Sequence, residues 1–131
     1  MAAEAANELN DLPYAKEQLR KVRFRAFKSN EAVDKYLEGI GSKDAMFKAI
    51  YRERMLEFSC EQIRKQDLIR WGLYVEAMTT ERRAQVADPR WHANKSYADG
   101  IADYTEYRHN WYPIPSKELA TNFSIKQNPL W

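Results

Sequence analysis

Between Lys43 and Arg64 the chain carries charge where a helix would carry its core. At about 100° per residue, Met46, Phe47, Ile50 and Phe58 fall on one face, and Arg54, Glu57, Glu61 and Arg64 fall on that same face. A second apolar stripe of Ala45, Ala49, Leu56 and Ile63 lies opposite, leaving mainly Lys48, Arg52, Met55, Ser59 and Gln62 for solvent. This pattern predicts a helix buried on two sides with ionic groups inside. Burying an unpaired ion costs several kcal/mol, so the charges must neutralise one another, and Asp67 and Arg70 just beyond extend the set into an ionic network. The other reading is a surface helix whose exchangeable ion pairs contribute roughly 0.3 to 0.5 kcal/mol each. Substitution of Arg54 or Glu57 by alanine separates the two, because only the buried network would lose several kcal/mol.

The remaining chain is also mostly helical in pattern. The opening AAEAANEL has high helix propensity but no capping residue before it, like the tail of a longer helix, and it stops at the turn Asn10-Asp11-Leu12-Pro13. Pro13 suits the first turn of a new helix, along which Ala15, Leu19, Val22 and Ala26 form one apolar stripe. Ser29 and Asn30 are N-cap candidates for a short helix that Gly39 and Gly41 stop, and Ser42 caps the helix that runs to about Arg64. The chain then bends toward Trp71 and Gly72, and a last long helix spans Leu73 to Val86 until Asp88 and Pro89 end it.

Beyond Pro89 the pattern changes. Trp91, Tyr97, Tyr104, Tyr107, Trp111 and Tyr112 crowd a stretch with little helical periodicity, closed by Pro113 and Pro115. This predicts ordered loop with a short strand near Tyr104 to Arg108, then a short helix from Lys117 to Thr121 capped by Ser116. At 131 residues one domain is the starting expectation, helical over about 1–87 and loop-rich over about 88–131.

Composition narrows the function classes. Charge is abundant but balanced, 21 Lys and Arg against 19 Asp and Glu, so the formal charge of +2 gives no electrostatic reason to propose nucleic acid as a partner. The local basic run Arg20, Lys21, Arg23, Arg25, Lys28 reads as a solvated helix face. Cys60 is the only cysteine, which rules out an internal disulfide and a cysteine-based metal site; its helical, partly apolar flanks predict an inert packed thiol. Met1 to Asn10 carries no basic leader, hydrophobic stretch or cleavage site, and no apolar run reaches the length of a membrane span.

For catalysis, Glu57 and Glu61 are the tempting carboxylates, one helical turn apart. Arg54 and Arg64 flank them and would hold both ionised, whereas a general acid must retain its proton. His92 and His109 stand in predicted loop with no glycine-rich phosphate loop or paired-histidine helix motif nearby. No catalytic residue, metal site or cofactor is therefore expected. A sugar site needs flat aromatic faces for pyranose C–H surfaces, with amides or charged groups reaching the hydroxyls. Trp91, His92, Asn94, Tyr97, Tyr104 and Trp111 offer those types within one segment, although packing of irregular loops onto helices is the commoner role of such clusters.

Several runs together are similar to the SusD/RagB family. RERMLEFSCEQIRKQDLIRWG resembles the family signature in which an ER-x-LEF helix is followed by a Glu, an Arg and then DL-x-RWG. Glu53, Arg54, Leu56, Glu57, Glu61, Arg64, Asp67, Leu68, Arg70, Trp71 and Gly72 stand at its positions. AEAANEL, the VRFRA of Val22 to Ala26, and the ending WYPIPSKELATNFSIKQNPLW resemble three further family segments in the same order. The chain departs from the pattern at Gln62 and Leu130, where the family commonly has glycine; at Gln62 the expected consequence is a helix that continues further.

Complete family members are several times longer, so the resemblance covers their carboxy-terminal portion. It implies a mostly α fold, a partial tetratricopeptide-like helical scaffold with a loop-rich aromatic carboxy-terminal region. It further implies a non-enzymatic accessory protein at the outer leaflet of the outer membrane, which captures an oligosaccharide or other nutrient for a SusC-like TonB-dependent transporter. Two rivals come from other classes. A cytoplasmic helical-repeat adaptor would share the helix pairs without calling for the Y-P-I-P ending, and a small carbohydrate-active enzyme would need a carboxylate of shifted pKa in an open cleft.

Overall fold

The computed structural model describes residues 1–27, 29–90 and 95–131, and the side chains of 95–99 are not among what it describes. The fold is mostly α, and no strand occurs among the described residues. Two compact units divide the chain, Met1–Arg64 and Lys65–Trp131.

In the first unit, α1 (Ala2–Glu8) ends where Asn10 takes a left-handed conformation (φ 60°), which asparagine tolerates better than most residues. Asp11 then accepts a hydrogen bond from the Tyr14 N–H at 3.1 Å and so starts α2 (Leu12–Phe27), with Pro13 in its first turn. Along α2 the buried positions are Ala15, Leu19 and Arg23, spaced by four. Val22 is half-buried and Ala26 exposed, so the predicted apolar stripe holds at its start and an arginine takes the next buried place. The side chain of Ser29 caps α3 (Asn30–Glu38) by accepting from the Ala32 N–H, and that of Ser42 caps α4 (Lys43–Glu57) by accepting from the Ala45 N–H.

Ala6, Ala15, Leu19, Val33, Leu37, Met46, Ala49 and Ile50 from all four helices, with Ile40 from the α3–α4 connection, form one apolar core. A buried polar tie accompanies it: Asn7, 2 % exposed, donates from its side chain to the Lys43 carbonyl at 3.2 Å, and so fixes the end of α1 against the start of α4.

Helix α4 corrects the sequence-based expectation in two respects. It ends at Glu57 rather than near Arg64, and Leu56, assigned to a second buried stripe, is exposed. The cause of the early stop is local: Phe58 leaves helical geometry, and Cys60 (φ 71°) and Gln62 (φ 59°) both adopt the left-handed conformation. Gln62 therefore does not carry a helix onward; it keeps the backbone shape that a glycine would adopt there at no steric cost. Cys60 is exposed rather than packed.

In the second unit, α5 (Arg64–Arg70, its first residue closing the preceding unit) ends in a Schellman turn. The Leu73 N–H reaches the Leu68 carbonyl at 2.8 Å and the Gly72 N–H the Ile69 carbonyl at 3.0 Å, with Gly72 at φ 72°. The RWG corner is thus a helix stop that a Cβ at residue 72 would strain. The next helical stretch comprises α6 (Tyr74–Glu76), a π-helical segment (Ala77–Glu81) and α7 (Arg82–Ala87).

Beyond Pro89 the structure corrects the loop expectation: Lys95–Tyr104 is a helix, α8, and Tyr107–Asn110 is a 3₁₀ turn where a short strand was predicted. Helix α8 packs on α7 and the π segment, burying Ala102, so tertiary packing overrides the weak propensity of a Gly- and Tyr-containing run. Helix α9 (Ser116–Thr121) begins with Ser116 as its first residue and Pro115 at the cap position.

Candidate functional site

The ionic residues of the first unit are organised by α2 and α4 together. Arg23 of α2 and Glu53 of α4 pair at 2.5 Å, with side chains 10 % and 11 % exposed. The Arg23 guanidinium also lies 3.7 Å from the centroid of the Tyr36 ring and 5.2 Å from that of Phe27. Its Nε has no hydrogen-bond partner among the described residues. Burial raises the Glu53 carboxyl above the ordinary glutamate range; Arg23 opposes that shift and the neighbouring Glu57 carboxylate adds to it. One turn further along α4, Glu57 pairs with Arg25, two residues beyond Arg23, at a much wetter position, with the Arg25 side chain 72 % exposed.

The basic run of α2 is therefore more than a solvated face. Arg23 and Arg25 bridge to α4, and Arg20 bridges to Asp34 of α3 at 2.8 Å. Lys28 lies outside the described residues. The Arg20 contact lowers the Asp34 pKa and raises that of Arg20 through their shared hydrogen bond.

For the residues assigned from sequence to an ionic network, the placements are these. Arg54 lies over the Phe58 ring at 4.8 Å, Glu57 meets Arg25, and Glu61 is exposed. Arg64 stacks 3.8 Å above Tyr51 and donates to the Tyr51 carbonyl at 3.3 Å. In the second unit Asp67, 4 % exposed, is bridged by Arg70 of the same helix at 3.0 Å. Sequence reasoning missed the Arg23–Glu53 pair, although a signal was present: Arg23 sits four residues after Leu19 and eight after Ala15, on the buried stripe itself.

The aromatic segment is held by the carboxy-terminal residues. The Gln127 side-chain amide accepts from the Ile114 N–H at 2.8 Å and donates to the Ile114 carbonyl at 3.0 Å, as a neighbouring strand would. Asn128 donates to the Tyr112 carbonyl and the Trp131 indole N–H to the Arg108 carbonyl. The Y-P-I-P and Q-N-P-x-W segments are thus two halves of one clamp. Leu130, where the resemblance leads one to expect glycine, takes φ 70° within it.

The clamp leaves aromatic faces in water. Tyr104 and Tyr112 are 79 % and 75 % exposed, Tyr107 and Trp111 are exposed and meet edge to face at 5.4 Å, and Trp131 meets His109 edge to face at 5.5 Å. Lys65 lies 4.2 Å from the Tyr112 ring centroid and 5.3 Å from that of Tyr74. Of the proposed sugar-binding residues, Tyr104 and Trp111 are on this surface, Trp91, His92 and Asn94 lie outside the described residues, and Tyr97 is in α8 with its side chain outside them. No His, Cys, Asp and Glu grouping able to hold a metal occurs among the described residues, and no helix there is long and apolar enough to cross a membrane.

Helix pairs locked by inter-helix ion pairs, followed by a clamped aromatic ending, define a helical-scaffold protein. The chain belongs to the SusD family, whose model matches residues 1–131. A SusD-like protein of Formosa agariphila is 36 % identical over 123 residues, which is 93 % of this chain and 20 % of that relative. The chain thus spans about one fifth of the length of this curated relative. No solved structure matches.

Proposed function

We propose that the chain serves a non-enzymatic nutrient-capturing protein, which holds an oligosaccharide or other nutrient at the outer leaflet of the outer membrane for a SusC-like TonB-dependent transporter. The observation that carries this reading is family membership along the whole chain. The exposed aromatic surface of the second unit supports it, because Tyr104 and Trp111 offer faces on which pyranose rings stack. Energy for import comes from the transporter, so no bond-making is asked of these residues.

A hydrolase reading meets a physical obstacle. Glu53 has the raised pKa that a general acid needs, but its carboxylate is held by Arg23 and that of Glu57 by Arg25, which leaves neither oriented toward a glycosidic oxygen.

Titration of the full chain with a panel of neutral and acidic oligosaccharides, followed by tryptophan fluorescence and calorimetry, tests the proposal. Saturable binding that weakens about tenfold in Trp111→Ala or Tyr104→Ala is the expected result, a loss typical of one stacking contact. Release of reducing ends from those oligosaccharides would refute the non-enzymatic reading. Absence of both saccharide binding and co-purification with a SusC-like barrel would refute the capture role.

A further inference from the structure

In the second unit, Arg70, Arg83, Arg90 and Arg108 meet the carboxylates of Asp67, Asp103, Asp88 and Glu106. Lys65, half-buried in the first turn of α5, has no ion-pair partner among the described residues. Its ammonium lies over two rings instead, 4.2 Å from the Tyr112 centroid and 5.3 Å from that of Tyr74. Ring faces attract a cation through their quadrupole, but they carry no net charge and leave N–H groups of the ammonium free to meet an oxygen. The positive charge is therefore held in place without being neutralised.

The rings that hold it bring donors of their own. Neither the Tyr74 nor the Tyr112 hydroxyl has a hydrogen-bond partner among the described residues, and Tyr112 is 75 % exposed. Tyr112 is also fixed through its backbone: Pro113 follows it and disfavours helical geometry there, and Asn128 donates to its carbonyl at 2.6 Å. Tyr74 is carried by α6, against which the 3₁₀ turn Tyr107–Asn110 lies. Trp111 is extended, with φ −119° and ψ 157°, so its side chain and that of Tyr112 leave the chain on opposite sides. The cation and its two phenols thus form a place apart from the Tyr107–Trp111 pair.

We infer that Lys65, Tyr74 and Tyr112 form a subsite for an acidic saccharide, whose carboxylate or sulfate ester accepts a charge-assisted hydrogen bond from the ammonium while its ring hydroxyls meet the phenols. The inference rests on the nutrient-capture reading and narrows the nutrient to an anionic sugar. An uncharged sugar oxygen in the same place would accept a weaker bond and leave the lysine charge uncancelled, so the subsite selects for charge.

The test titrates the full chain with trigalacturonate and its methyl ester, and with a sulfated galactan tetrasaccharide and its desulfated form, by calorimetry at low and raised salt. Within a pair, the charged member should bind about tenfold more tightly than the neutral one, and raised salt should narrow the difference. The pair that shows the preference tells uronate from sulfate. Lys65→Met should bring the two affinities together, and Tyr112→Phe, which keeps the ring face over the ammonium, should weaken the charged member several-fold. Equal affinities for charged and neutral members on the parent chain overturn the inference while leaving capture itself standing, and that comparison needs no variant. A preference that Lys65→Met does not reduce overturns it as well. Binding of none of the four saccharides overturns both the subsite and the capture reading.

Discussion

Replacing Glu53 by alanine will leave the Arg23 guanidinium buried without its counter-ion. The side chains are only 10 % and 11 % exposed, the Arg23 Nε already has no hydrogen-bond partner among the described residues, and what remains around the cation is the faces of Tyr36 and Phe27. A ring face returns about 0.5 to 2 kcal/mol to a cation, well short of the several kcal/mol lost on taking the ion out of water. The expected cost of Glu53→Ala is therefore about 3–5 kcal/mol, a large part of the roughly 5–15 kcal/mol that holds an ordinary domain together. Urea unfolding followed by far-UV circular dichroism measures it. Arg23→Met combined with Glu53→Leu removes both charges while keeping volume, and should return stability to within about 1 kcal/mol of the parent. A single Glu53→Ala that loses less than about 1 kcal/mol would place the pair in water and refute the reasoning.

Gln127→Ala should cost about 1–3 kcal/mol by leaving the Ile114 N–H and carbonyl unpaired, visible as a lower urea midpoint with altered tryptophan fluorescence. Gln62→Gly and Leu130→Gly should each stabilise by up to about 1 kcal/mol, because a left-handed residue with a Cβ carries about 1–2 kcal/mol of strain that glycine's greater unfolded-state entropy only partly offsets; an unchanged or lower midpoint in both would refute this. For pH, the raised pKa of Glu53 gives a contribution fully present below its unfolded pKa and lost as pH rises through the folded one. The pKa of Asp34, lowered by Arg20, and that of Asp88, lowered by the hydrogen bonds it accepts from the Arg90 side chain and backbone N–H, give contributions present above the unfolded values and lost as pH falls through the folded ones. Protonated Glu53 still offers Arg23 an acceptor oxygen, which alanine does not, so falling pH acts on Glu53 and on the two aspartates in opposite senses, and Glu53→Gln should steepen the acid loss of stability.

Much of the scaffold was legible in the sequence because it depends on local chemistry. Ser29 and Ser42 cap the helices they precede, Pro13 lies in a first turn, and Gly72 stops a helix, all short-range effects. The end of α4 was not legible, since charged and apolar residues keep helical spacing through Cys60 and Gln62 while the backbone there turns left-handed. Helix α8 was hidden for the opposite reason: aromatic residues and a glycine masked a segment that packing makes helical. Glu57 was placed on an inward ionic face, and its partner Arg25 proves largely exposed, so Glu57→Ala should cost at most about 1 kcal/mol, not several. The partner of Glu53 lies thirty residues away on another helix, a separation that no periodicity within α4 encodes.

The pairing of Gln127 with Ile114 involves main-chain atoms on one side only. Evolution therefore meets unequal constraints at its two ends. Almost any residue that keeps an N–H could replace isoleucine at 114 without disturbing the bond, whereas position 127 demands a donor and an acceptor on an arm of one length. This bond accordingly constrains the side chain at 127 but only the backbone at 114, even though both belong to the same contact.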